Sequence, residues 1–188
     1  HGQGYVTAID ANVMTVMASF NSWNGDKLHG SKTLLTDVLR DQLGFDGFVI
    51  SDWNGIGQVV GCTNDSCPQA INAGVDMVMA PEDWKALLEN TIAQVNSGEI
   101  SGERVDEAVR RILTIKFKSG IMTRGLPSER AKGLESVIGS PAHRAIAAEA
   151  VRKSLVMLKN DDQLLPLSGK QSVLVVGDGV DNIGQQSG

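Results

Sequence analysis

Gly44-Phe45-Asp46-Gly47-Phe48-Val49-Ile50-Ser51-Asp52-Trp53-Asn54-Gly55 is the stretch around which the chain is organised. Phe48 to Ile50, a short β-branched and aromatic run between glycines, reads as a strand buried on both faces, the kind a parallel sheet uses. It stops in polar groups. Ser51 and Asp52 fall at its C-terminal end, and Trp53 with Gly55 turns the chain into a loop. One carboxylate and one large indole therefore stand together at the sheet edge where proteins built from βα units do their chemistry. The plainer reading of Asp52 is a loop aspartate capping the next turn, because Asp competes well for backbone N–H groups there.

Upstream, Asn12 to Phe20 reads as a second strand, ending in polar Asn21-Ser22-Trp23-Asn24-Gly25 beside the Asp52 strand. Lys32 to Leu43 carries Leu34, Leu35, Val38, Leu39 and Leu43 on one helical face, with Asp37 and Arg40 on the other. Downstream, a long polar loop through Gly61 and Cys67 leads to a short helix from about Pro68 to Ala73. Gly74 to Pro81 follows as a third strand, with Pro81 stopping it. Trp84, Leu87, Leu88, Thr91, Ile92 and Val95 recur at helical spacing. After the Ser97-Gly98 break, Val105, Ala108, Val109, Ile112 and Leu113 do so again. Three strands each followed by helices, with no hairpin signal between them, predict right-handed βαβ crossovers and an α/β fold with a parallel sheet.

Between about Gly120 and Gly139 periodicity gives way to Gly, Pro, Ser, Lys and Glu, which reads as a linker. Ser140-Pro141 provides an N-cap and a first-turn proline for a helix carrying Ala147, Ala150, Val151, Ser154, Leu155 and Leu158. Ser172 to Gly177 then reads as another buried strand. One helix and one strand cannot bury a core of their own. A (β/α)8 barrel takes roughly 250 residues, of which three strand units account for about 120. The expected organisation is therefore residues 1–119 as the C-terminal portion of a TIM-like (β/α)8 barrel, 120–140 as a linker, and 141–188 as the start of a second α/β domain. The first residue is His1 and no charged-then-apolar leader follows, which fits a mature form or a fragment.

Composition narrows the function. Hydrophobic content of 41% and charged content of 21% over 188 residues are ordinary for a folded soluble protein. The formal charge of −5, without a dense Lys/Arg block, argues against nucleic acid or an anionic membrane as partner. No run approaches the roughly 20 apolar residues of a membrane span. A neutral or small substrate fits better. His1, His29 and His143 are scattered, none at ligand spacing to Cys62 and Cys67, so no metal site is expected. The two cysteines, in a polar loop just past Asp52, are compatible with a small disulfide in an oxidising compartment and equally with two thiols. Thiol titration of the unfolded, unreduced protein distinguishes these.

Leu39-Arg40-Asp41-Gln42 followed by Gly-Phe-Val-Ile-Ser-Asp-Trp resembles the signature of glycoside hydrolase family 3. Further matches run in order along the chain: Val16 to Gly25, Ala73 to Pro81, Arg110-Arg111-Ile112-Leu113, and Ala150 to Asn160. Together they are similar to family 3 β-glucosidases and exo-β-glucanases. The resemblance implies a barrel, a linker and a flavodoxin-like α/β sandwich, and an enzyme that hydrolyses β-glucosides or β-gluco-oligosaccharides with retention. It makes Asp52 the nucleophile and Trp53 a stacking platform on the leaving-group side. Met17, Phe20 and Met79 correspond to positions lining the glucose pocket, with Phe20 standing where close relatives can have Tyr. No cofactor is implied. For Met17 and Met79 a core-filling role competes, and Trp23 is equally readable as a loop anchor. Asp76, at the opposite strand end from Asp52, suggests barrel stability, and His29 a surface or loop position.

By position, Glu82 and Asp83 are the carboxylates to nominate as acid/base. In two-domain relatives, however, that Glu comes from the second domain, beyond Gly188, so the remainder of the polypeptide is an expected partner. Two rival readings are a nucleotide-binding enzyme and a non-catalytic carbohydrate-binding or structural fragment. The first rests on Gly177 and Gly179 after a strand, but Asn182 occupies the place of the third glycine. An oxidised cysteine pair would favour a periplasmic or secreted location.

Overall fold

The computed structural model describes residues 1–187. It divides into two compact units, His1–Arg130 and the stretch from Ala131 onward, the division falling inside the 120–140 stretch.

The first unit is mixed α/β. Its opening helix α1, Gln3–Asp10, was not expected, and it changes where the next strand begins. Val13 N–H donates back to the Ala8 carbonyl, and Asn12 adopts a left-handed φ of 60°. Strand β1 is therefore only Thr15–Met17, shorter than the expected 12–20. It runs parallel to β4, Phe48–Ile50, with Thr15 opposite Phe48 and Met17 opposite Ile50. Between them lies an antiparallel hairpin that the sequence reading lacked, β2 (Ser22–Trp23) against β3 (Asp26–Lys27). Its turn is Asn24-Gly25, both at positive φ (53° and 95°), the pair that tight hairpins favour.

The expected third strand, Gly74 to Pro81, reduces to a single parallel bridge between Met77 and Ile50 on the other side of β4. The Val49 carbonyl accepts the N–H groups of Asp76 and Met77, the Met77 carbonyl accepts that of Ser51, and side chains and loop amides add to these bonds. Asp76 Oδ2 accepts the Val49 N–H (2.8 Å), Ser51 Oγ accepts the Met79 N–H (2.7 Å), and the Met79 carbonyl accepts the Asn54 N–H (3.1 Å). Thr33–Gln42 is a π-helix rather than an α-helix, closed by Leu43 N–H donating to Val38 O five residues back. Leu35 and Leu39 face inward as expected. Arg40, read as outward, is buried.

Helix α2, Pro68–Ala73, starts on its proline and ends at Gly74, whose φ of 123° is accessible only to glycine at low cost. Helices α3 (Trp84–Ser97) and α4 (Gly102–Lys118) follow, the latter capped by Ser101 Oγ, which accepts the Arg104 N–H at 3.1 Å. The core gathers Ala18, Leu35, Leu39, Phe45, Val49, Ile56, Ala70 and Val75 from the strands, the π-helix and α2. Beneath it, at the N-terminal end of β4, Asp76 joins Arg40 and Arg104, and Glu107 joins Arg40 and Arg111. Burial works against the Glu107 carboxylate, yet Arg111, Arg104 and Arg40 hold its pKa below the ordinary 4.5.

In the second unit, α5 (Pro127–Arg130) having closed the first, α6 spans Pro141–Ser154 behind its Ser140 cap. Leu155 to Leu158, expected to continue that helix, lie beyond its end and are exposed. Val173 to Val176 form no strand and are likewise exposed. An apolar run becomes a strand only with a neighbour to share its N–H and C=O groups, and none pairs with it among the described residues. A last turn, α7, covers Ile183–Gln186.

Candidate active site

Asp52 leaves the C-terminal end of β4 with every main-chain polar group engaged. Its N–H donates to Nε2 of His29 at 2.9 Å. Its carbonyl accepts from Ser51 Oγ at 2.9 Å and from the Gly55 N–H at 3.0 Å. The side-chain Oδ1 accepts the N–H of Trp53 at 2.7 Å, the local capping geometry open to a loop aspartate. Oδ2 has no partner among the described residues, so one carboxylate oxygen is fixed and the other is available.

The neighbouring positions converge on this loop. Trp53 is 55% exposed and presents its indole to solvent beside the carboxylate. Met17, also exposed, sits opposite Ile50 two residues before Asp52. Met79 is half-buried and tied to Ser51 through its amide. Phe20 is half-buried with its ring centroid 6.1 Å from that of His29. Trp23, by contrast, stands exposed on the hairpin. Glu82 is drawn to the same loop, accepting from Asn54 Nδ2 at 3.2 Å, while Asp83 precedes α3 without a side-chain capping bond. Cys62 and Cys67 are joined in a disulfide (Cα–Cα 4.8 Å) that closes the loop after Asp52. A cavity of about 110 Å³ lined by Met14, Phe45, Gly47 and Ile115 lies at the other end of β4 and is not part of this constellation.

His29 is the main correction. Expected at the surface or in a loop, it is 0% exposed in the turn Leu28–Gly30. Gly55 packs flat against its imidazole, where a Cβ would collide with the ring. Because Nε2 accepts a hydrogen bond, the ring proton resides on Nδ1. Burial, assisted by Lys27 and opposed by Asp52, keeps the imidazole pKa below its ordinary 6.5. The unfolded chain therefore takes up this proton first as pH falls, and stability present above about pH 6.5 decreases below it. Urea-unfolding midpoints should be level above that pH and drop as the pH falls below about 6.5. In His29→Gln this drop should vanish, and a midpoint insensitive to pH in the wild type would contradict the assignment. Ser51, fully buried and bridging Met79 to Asp52, also lacked a sequence role.

Residues 1–115 match the family model of the glycosyl hydrolase family 3 N-terminal domain. The chain belongs to glycosyl hydrolase family 3. This family 3 chain is 50% identical to an exo-1,3/1,4-β-glucanase from a Pseudoalteromonas species, whose crystal structure it matches over 100% of its length and 24% of that chain, with a TM-score of 0.86. It is 32% identical over 188 residues to a lysosomal β-glucosidase of Dictyostelium discoideum, covering 95% of this chain and 22% of the relative. It is 33% identical over 181 residues to a periplasmic β-glucosidase of Salmonella typhimurium, covering 92% and 23% respectively. The family 3 chain thus spans under a quarter of the length of each of these relatives.

Proposed function

We propose that these residues supply the nucleophile side of a retaining, exo-acting β-glycoside hydrolase that releases glucose from β-glucosides or β-glucans. The observation that carries this reading is the Asp52 carboxylate at the C-terminal end of β4, one oxygen anchored by the Trp53 N–H and the other free, beside an exposed indole. It is supported by relatives that are β-glucosidases and an exo-glucanase.

The free Asp52 oxygen attacks the anomeric carbon while a carboxylic acid protonates the departing glycosidic oxygen, giving an ester to the enzyme. The acid, now a carboxylate, then deprotonates the water that hydrolyses this ester. In retaining enzymes the two carboxyl groups stand roughly 5 to 5.5 Å apart. The acid/base belongs to the remainder of the polypeptide, so this chain alone is inactive. Glu82, hydrogen-bonded to Asn54 on the nucleophile loop, positions that loop. Trp53 offers a flat apolar face for a pyranose ring, and Met17, Phe20 and Met79 wall the glucose site. Phe20 supplies no hydroxyl there. The chemistry calls for no cofactor. Residues 1–119 form the C-terminal portion of a (β/α)8 barrel, followed by a linker and the start of a flavodoxin-like domain. The Cys62–Cys67 disulfide and a periplasmic relative support a periplasmic or secreted location.

A slow 2-fluoro-glucoside traps the ester because the fluorine disfavours the oxocarbenium-like transition state. Incubation of the full-length protein with it, then peptide mapping, is expected to place the label on the peptide containing Asp52. A label elsewhere, or none, would overturn the proposal.

A further inference from the structure

We infer that His29 is a positioning residue for the Asp52 nucleophile, its neutral imidazole holding the Asp52 main chain so that the free carboxylate oxygen faces the sugar. This rests on the nucleophile reading above and names the device that aims it.

The ladder of β4 ends one residue too early to hold Asp52. Ser51 N–H still donates to the Met77 carbonyl at 2.9 Å, but the next N–H, that of Asp52, has no backbone acceptor among the described residues and turns to Nε2 of His29 instead. The imidazole reaches it from 23 residues away in sequence. Packing alone does not account for a histidine here. Nδ1 is buried without a hydrogen-bond partner among the described residues, a costly arrangement that an apolar side chain of similar size would avoid. Among the described residues, the one polar contact that the ring makes is with the nucleophile's own amide.

The surroundings fix the ring in turn. Gly55 lies flat against it, Phe20 is tilted toward it at 57°, and Lys27 Nζ ties down the Phe20 carbonyl at 3.0 Å. With Ser51 and Gly55 holding the carbonyl of Asp52 and Trp53 holding Oδ1, the His29 bond completes the set. Losing it would free the Asp52 peptide to rotate, and an error of about 1 Å at a reacting atom can cost on the order of 10²-fold in rate.

The test compares wild type, His29→Leu and His29→Gln in the full-length protein, reading the rate of inactivation by a 2-fluoro-glucoside, which reports formation of the glycosyl-enzyme. His29→Leu is expected to slow inactivation by about 10²-fold, while the dissociation constant of a competitive inhibitor stays within about threefold. His29→Gln, whose Oε1 can accept the same N–H, should recover most of the lost rate. Equal rates for His29→Leu and wild type, or His29→Gln as slow as His29→Leu, would overturn the inference while leaving Asp52 as nucleophile. Should His29→Leu not fold, His29→Gln is compared with His29→Asn, whose amide is one methylene too short to reach. Equal rates for that pair overturn it likewise. A wild-type enzyme that takes no label at Asp52 overturns the nucleophile reading and this inference with it.

Discussion

Asp52→Asn in the full-length protein is expected to lower turnover of an aryl β-glucoside by at least about 10³-fold, close to 4 kcal/mol of barrier, with KM changed far less. Asparagine has nearly the same shape, and its Oδ1 can still accept the Trp53 N–H that Asp52 accepts at 2.7 Å. The His29 bond involves the main chain and survives the substitution. Trp53, Met17 and Met79 are untouched, so the surfaces that would bind sugar remain. What is lost is the negative charge on the free oxygen, and an amide neither attacks an anomeric carbon nor forms a stable ester. The decrease should therefore fall on kcat and not on ground-state binding. Initial rates with purified variant and wild type decide it, and an unchanged kcat would remove Asp52 from the mechanism.

How far this site could be read from the chain depended on which interactions were local. Phe48 to Ile50 form the expected strand, and Asp52 and Trp53 follow it in adjacent positions, so periodicity sufficed. Pro68 as a helix start acts within one turn of chain, and that helix and the one carrying Val105 to Leu113 form where spacing placed them. The Asn24-Gly25 hairpin was missed although the pair is a known turn signal, because the polar residues around it masked two very short strands. His29 was not legible. Its burial comes from Gly55 and Phe20, and its hydrogen bond from the amide of Asp52, contacts that no local pattern encodes. The same holds for Arg40. A charged residue on the outer side of an apolar helix face reads as solvated until Asp76, 36 residues on, is brought against it. Val173 to Val176 erred in the opposite sense, since hydrophobicity alone supplies no ladder partner.

The largest stability effect is expected at that same Asp76. Its side chain is 0% exposed and accepts from Arg40 Nη2 at 2.5 Å and the Val49 N–H at 2.8 Å on Oδ2, and from Arg104 Nη2 at 2.7 Å on Oδ1. Arg40 extends the cluster to Glu107 at 3.1 Å. The same guanidiniums bind carbonyls of Ile71, Gly74 and Val75, so one carboxylate pins the π-helix, α2, α4 and β4 together. Replacing such a buried pair by apolar groups can be neutral, but removing one partner leaves the others charged and uncompensated, at a cost of about 3 to 5 kcal/mol. Asp76→Asn presents an N–H₂ where one of these donors needs an acceptor and removes the charge facing two buried arginines. The urea midpoint should fall steeply, by an amount that is a large part of a typical domain's stability. Lys32→Ala, which breaks the exposed 2.7 Å pair with Asp37, serves as the contrast and should barely move the midpoint. If the two substitutions shifted it equally, the buried cluster would not be what holds these elements. The loss should also reach the Asp52 loop, because Asp76 begins the segment whose Met79 amide donates to Ser51, and Ser51 in turn holds the carbonyl of Asp52.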